Sequence, residues 1–227
     1  MKPLERKKTE PYSLYLEGEY KDINSLLKEA DRNMYQDKLF NGKSREKHFL
    51  EAFRIVLAER DPHTSDHAQR LQELALSLGK RVGLTEYQLG NLKLLALLHD
   101  IGKIGIPDSI LFKTYILTPS EWEKMRKHSR IGYRMAKNIP DFAPIAQEIL
   151  YHHEHWDGTG YPDGLKGEKT PLLSRIISII DAYDVMQSRR PYKGPISKTK
   201  ALKEIKRCAG TQFDPQLAEI FLKIVKT

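Results

Sequence analysis

The chain has 227 residues, a formal charge of +8 and a single cysteine. That length suits one domain with an appendage, or two small domains, and buries a substantial core without covalent staples. A lone Cys208 excludes an internal disulfide and, with no run of roughly 20 apolar residues, points to a cytoplasmic protein without a membrane segment.

Residues 1–47 carry one amphipathic stretch, Asn24 to Lys38, too small to make a core of its own. Its string Leu27-Lys-Glu-Ala-Asp-Arg-Asn-Met-Tyr-Gln-Asp-Lys38, followed by Gly42, resembles the last helix of a GGDEF diguanylate cyclase domain. A second domain is expected over 48–227. Its first helix spans His48 to Ala58, with Phe49, Ala52, Phe53, Val56 and Leu57 on one face. Asp66 to Leu78 repeats the pattern, and Gly79 and Gly83 bracket an expected stop. Further helices are predicted over 85–100, 119–139 with a cap from Thr118 or Ser120, 144–153, 172–186, 197–207 and 215–226. The stretch 172–186 is apolar around most of its circumference, as a central core helix would be. Between Trp156 and Gly167 lie four glycines and a proline, which predict an ordered loop. With no convincing alternating strands after residue 48, the domain is expected to be all-α.

Charge is uneven along the chain. Residues 48–186 hold 17 Lys/Arg against 18 Asp/Glu, whereas residues 187–227 hold 10 against 3. A basic excess confined to one end is not the spread footprint of a protein that binds polymeric nucleic acid.

Seven of the eight histidines fall between residues 63 and 155. With one cysteine, thiolate zinc sites are excluded, while imidazole and carboxylate together suit Fe, Mn, Zn or Ni. His99-Asp100 ends an apolar helix beside Gly102 and Gly105, where both side chains can face one cation; a core histidine next to a capping Asp is the plainer alternative. His152-His153 follows Ile149-Leu150-Tyr151, and two buried imidazoles need polar partners. Asp181 sits in the most apolar helix, so it pairs with an arginine such as Arg175 or binds metal. Asp184, one turn on, suits an acceptor that orients a histidine. His128 lies among Lys124, Arg126, Lys127 and Arg130, where an exposed histidine is the simple reading. His63 and His67 have the i,i+4 spacing that can chelate. His48 and His155 read as surface residues.

Taken in order, His67, His99-Asp100, Lys103, His128, His152-His153 and Asp181 resemble the HD-GYP family of the HD phosphohydrolase superfamily. The strings are His99-Asp-Ile-Gly-Lys-Ile-Gly-Ile-Pro-Asp108, His152-His-Glu-His-Trp-Asp-Gly-Thr-Gly-Tyr-Pro-Asp-Gly-Leu-Lys-Gly167, Asp181-Ala-Tyr-Asp184 and Arg190-Pro-Tyr-Lys193. The resemblance covers residues 48–225 and implies a helical bundle with additional C-terminal helices and a metal site in its core. It implies a cyclic di-GMP phosphodiesterase that yields pGpG or GMP by attack of a metal-bridging hydroxide. His67, His99, Asp100 and Asp181 would surround one ion, and Asp100 would bridge to a second held by His128, His152 and His153. Iron or manganese is favoured, with nickel or zinc also compatible.

Lys103 would stabilise charge on the phosphate, an ion pair to Asp100 or Asp108 being its alternative. Gly160 and Tyr161 would meet the nucleotide, and Arg190 and Lys193 the guanine or phosphate, against the alternative of a solvated basic turn. A third ion, held in some members by a glutamate one turn before the first histidine, is not expected where His63 stands, although His63 can substitute. A GGDEF-domain protein and a second copy of the chain are compatible partners. The competing functions are hydrolysis of another cyclic dinucleotide and a non-catalytic module that binds one or docks a GGDEF partner.

Overall fold

The computed structural model describes residues 64–188 and 194–226. Eight α-helices follow one another among them: α1 Thr64–Val82, α2 Glu86–Leu98, α3 Asp108–Leu111, α4 Pro119–Lys137, α5 Ala146–Tyr151, α6 Leu172–Gln187, α7 Lys198–Arg207 and α8 Pro215–Lys226. The one β feature among the described residues is an isolated bridge between Ala209 and Phe213. The expected all-α bundle is what forms.

Helix α1 buries Ala68, Leu71, Ala75 and Leu78 along one stripe and packs on both α2 and α6. It runs through Gly79 rather than stopping there. A side chain at Gly79 would press on Leu84, Leu89 and Leu92, so the bare position is where α2 comes closest. The stop comes at Gly83, whose φ of 85° lets Leu84 N–H donate to the Gly79 carbonyl and Gly83 N–H to that of Lys80. Helix α2 then starts from Thr85, which exchanges capping bonds with Gln88, and buries Leu89, Leu92, Leu94, Leu95, Ala96 and Leu98.

Two short segments fall outside the expected periodicity. Ile101–Gly105 forms a 3-10 turn, and α3 adds one helical turn after it. The turn lies flat on α4, because Gly102 meets the backbone of His128 and Gly132 with no room for a β-carbon. Helix α4 is capped by Thr118 with Glu121, with Pro119 in the first turn. Helix α6 buries Ile176, Ile177, Ile179 and Ile180 completely, as a central helix should. Asp214 accepts from Gln216 N–H and Leu217 N–H to start α8, which brings Phe221 edge-on to Tyr183 of α6 at 5.2 Å.

No helix among the described residues is long and apolar enough to cross a membrane. The segment resembling a GGDEF helix, the expected helix over 48–58, His48, His63, Arg190 and Lys193 lie outside the described residues.

Candidate metal centre

Five separate elements aim side chains at one point in the bundle. His67 comes from α1, His99 and Asp100 from the junction of α2 with the 3-10 turn, His128 from α4, His152 and His153 from the end of α5, and Asp181 from α6. Their donor atoms fall into two groups, Asp100 with His128, His152 and His153, and His67 with His99 and Asp181; within each, all donors lie within 4.8 Å of one another. Asp100 also faces the other group. Its Oδ2 is 3.4 Å from His99 Nε2, while its Oδ1 is 3.3 Å from His128 Nε2 and 3.9 Å from His152 Nε2.

The ring orientations follow from the helices themselves. Nδ1 of His99 lies 3.3 Å from the Ala96 carbonyl, that of His128 2.9 Å from Met125, and that of His152 2.6 Å from Ile149. A carbonyl only accepts, so each Nδ1–H donates and each ring turns its Nε2 toward the centre. In all three the acceptor lies three residues back along the chain. His67 uses a carboxylate instead, donating from Nδ1 to Asp184 Oδ2 at 2.6 Å. Asp184 in turn accepts from Arg70 Nε at 2.5 Å, from Arg70 Nη2 at 2.9 Å and from Ser188 Oγ at 3.2 Å. It is the orienting acceptor its position suggests.

This donor set fits a cation. Lone pairs of His128 and His152 face each other at 3.4 Å, and His99 Nε2 and Asp100 Oδ1 are buried without any hydrogen bond. Burial, joined by the neighbouring imidazoles His99 and His128, pushes His152 down to about 3. Burial likewise lowers His128 and His153, so these rings are neutral at pH 7 and able to act as ligands. Burial opposes ionisation of Asp100, but Lys103, His99 and His128 outweigh it and hold the carboxyl well below its usual range. His67 is the contrast. Burial would lower it, yet the hydrogen bonds to Asp181 and Asp184 prevail and raise it to about 9. Positive charge is called for between those carboxylates, whether a proton on His67 or a cation beside it.

Around the rim, Lys103 Nζ lies 2.7 Å from Asp100 Oδ2, the ion pair named as its alternative. Arg175 does not meet Asp181; it pairs with Asp214 at 2.5 Å and leaves Asp181 Oδ1 3.3 Å from His67 Nε2. His128, expected to be exposed on local charge alone, is 2% exposed. His155 donates to or accepts from Thr159 Oγ1 at 2.9 Å, apart from either donor group. The loop after His153 is pinned from within: Glu154, 3% exposed, accepts from the backbone N–H groups of Asp163, Gly164 and Leu165 at 2.7, 3.0 and 3.0 Å. Asp163 also meets Arg130 Nη2 at 2.6 Å and Tyr151 OH at 3.2 Å. Gly160 packs against the backbone of His153 to His155, where a β-carbon would collide. Tyr161 stacks on His153 at 4.8 Å, with the Arg126 guanidinium 5.2 Å from its ring centre.

The model of the HD domain family matches residues 51–217, most of the chain. The chain belongs to the HD domain family. Its motif strings place it with the HD-GYP proteins of that family. This HD domain is 39% identical over 216 residues to a cyclic di-GMP phosphodiesterase of Thermotoga maritima, covering 93% of the chain and 57% of the relative. It is 36% identical over 166 residues to 3'3'-cGAMP-specific phosphodiesterase 2 of Vibrio cholerae, covering 72% of the chain and 32% of that relative. The chain thus spans little more than half the length of the curated relatives it matches, or less. A solved cyclic GMP-AMP-specific phosphodiesterase of V. cholerae superposes with a TM-score of 0.61 at 23% identity, over 79% of this chain and 48% of that one, which is a likeness of fold.

Within this HD domain, sequence reasoning misses Arg70, Glu154 and the Gly102–Gly132 seat. Arg70 lies three residues after His67, and Asp184 three after Asp181, so two matched pairs join α1 to α6. That shared spacing is the signal that would have found Arg70. For Glu154 the clue is a carboxylate next to the histidine pair, ahead of a loop rich in glycine and therefore in unpaired N–H groups.

Proposed function

We propose that this HD domain is a metal-dependent phosphodiesterase that opens cyclic di-GMP to pGpG, GMP or both. The observation that carries the reading is Asp100, whose two oxygens face two separate histidine groups. His67, His99, Asp100 and Asp181 would hold one divalent ion, and Asp100, His128, His152 and His153 a second. All donors are nitrogen or oxygen, which suits iron, manganese, nickel or zinc, and the family resemblance favours the first two. Bound there, such ions supply a nucleophile at neutral pH and neutralise charge at phosphorus.

The chain's own residues do the rest. Neutral His128, His152 and His153 offer lone pairs without first losing protons, and Asp184 keeps His67 in one orientation. Lys103, 2.7 Å from Asp100, keeps an ammonium at the rim, where a phosphate oxygen of the substrate would meet it. Tyr161, at the same rim, offers an aromatic ring to a guanine, and Gly160 fixes the height of that ring. Arg190 and Lys193 join them by motif position. The identity of the relatives to the chain supports a cyclic dinucleotide as substrate class, and the Thermotoga relative's name supports cyclic di-GMP. A cytoplasmic setting, and pairing with a GGDEF-domain protein or a second copy, belong to the same proposal.

The test is to load purified protein anaerobically with Fe(II) or Mn(II), count metal per chain, and follow cyclic di-GMP and 3'3'-cGAMP by chromatography. Conversion of cyclic di-GMP to a linear product is the expected result. Metal-replete protein that binds the dinucleotide without opening it would establish a binding module instead.

A further inference from the structure

We propose that Tyr161 is a positioning residue for His153, keeping that imidazole in the group with His128 and His152 and so setting how firmly the second ion is held. The inference rests on the metal reading given above. Each of the other four histidines of the centre has its ring tied by Nδ1, to a carbonyl for His99, His128 and His152 and to Asp184 for His67. His153 has no such tie among the described residues. Its ring meets other rings: His152 at 4.0 Å and 42°, His128 at 5.0 Å and 82°, and Tyr161 at 4.8 Å and 30°. The first two are donors of the same group and would turn toward the same ion. Tyr161 alone of the three comes from outside it.

Tyr161 grips His153 twice. Its backbone N–H donates to the His153 carbonyl at 3.2 Å, and its ring lies nearly parallel to the imidazole. A stack of this kind leaves the imidazole free to slide but not to rotate out of plane, which is the constraint a metal ligand needs. The tyrosine is itself held. Gly160 lets the loop close on the 153–155 backbone, Glu154 gathers the N–H groups of residues 163–165, and Arg130 ties Asp163 to α4. Loop and ligand therefore form one unit in which Glu154 follows His153 directly in the chain.

The test compares wild type, Tyr161→Phe, Tyr161→Leu and Tyr161→Ala by Mn(II) titration under free-metal buffering, with electron paramagnetic resonance to separate coupled from isolated ions. Wild type and Tyr161→Phe are expected to bind two ions alike, because the ring and not the hydroxyl makes the stack. Tyr161→Leu and Tyr161→Ala should keep the first ion and bind the second about 10–100-fold more weakly, the usual loss when an outer partner of a ligand is removed. The coupled signal would give way to that of an isolated ion. Wild-type affinity for both ions in Tyr161→Ala, with only KM raised, would overturn the proposal and make Tyr161 a substrate platform alone. Loss of both ions together in Tyr161→Leu and Tyr161→Ala would also overturn it, since the effect would not be local to His153. Wild type that fails to take up two ions would overturn the metal reading itself, before any substitution is compared.

Discussion

Asp100 and Asp184 carry the centre in different ways, and substitution separates them. Asp100 is the carboxylate shared by both donor groups, so Asp100→Ala should cost both ions affinity and reduce cyclic di-GMP turnover by at least about a thousandfold, the scale on which metal-generated nucleophiles matter. Metal analysis and product chromatography on the same sample check this, and turnover within tenfold of wild type would remove Asp100 from its bridging role. Asp184 belongs to neither donor group; it holds His67 and Arg70. Asp184→Asn should weaken the ion at His67, His99 and Asp181 by about 10–100-fold and leave the other ion nearly untouched. Stability should fall by about 1–3 kcal/mol, at the modest end for a buried charge because Arg70 is almost half exposed. Isothermal titration with thermal denaturation separates the two effects, and equal weakening of both ions would show that Asp184 acts on the bundle as a whole.

Between helices, the most demanding contact is the seat of the 3-10 turn Ile101–Gly105 on α4. Gly102→Ala would drive a methyl group into the His128 carbonyl and the Gly132 amide, neither of which can swing away as a side chain would. A cost of about 1–3 kcal/mol follows from overpacking, and the displaced turn carries Asp100 away from His128. The expected outcome is a lower melting temperature together with weaker metal binding. Gly105→Ala serves as the comparison, since it would meet only side-chain atoms of Ile131, at 3.1 Å and beyond, and no backbone; an equal loss there would argue against a special seat at Gly102. Helices were legible where stripe and cap agree, as at Thr85 with Gln88 and Thr118 with Glu121. The 3-10 turn was not, because five residues are too few to set a period. Nor were the carbonyls that orient His99, His128 and His152, because every residue type carries one. The grouping of seven candidate ligands from five elements came from the order of motifs, since periodicity within one helix says nothing of which other helix lies opposite. His128 shows the limit of local context: four basic neighbours suggest water, and the bundle places it in the core.

At the scale of the molecule, the centre ties α1, α2, α4, α5 and α6 together, so ions bound there stabilise the whole bundle by linkage. Free metal at about 100 times its Kd adds about 2.7 kcal/mol per site, so about 5 kcal/mol for two ions, or roughly 10–20 °C in Tm for a domain of this size. Treatment with a chelator should lower the Tm by that amount and readdition of Mn(II) should restore it; a scan insensitive to both would mean that the bundle forms without regard to the site. The basic excess of residues 187–227 is consistent with this picture, since α7 leaves Lys198, Lys200, Lys203 and Lys206 exposed while burying Ala201, Leu202 and Ile205. On the proposed function, attraction for an anionic dinucleotide would account for part of that excess and a solvated helix face for the rest.

Three imidazoles tied to carbonyls of their own helices have a mechanical consequence. A ring fixed in this manner cannot lag behind its helix; it rides with the turn that carries it as a pointer rides on a shaft. The spacing of the donors is then a gauge of how α2, α4 and α5 are registered, and a displacement of a few tenths of an ångström in any one of them is read directly as a change in ligand geometry. Torque applied anywhere along those helices would tune the chemistry with no moving part in between.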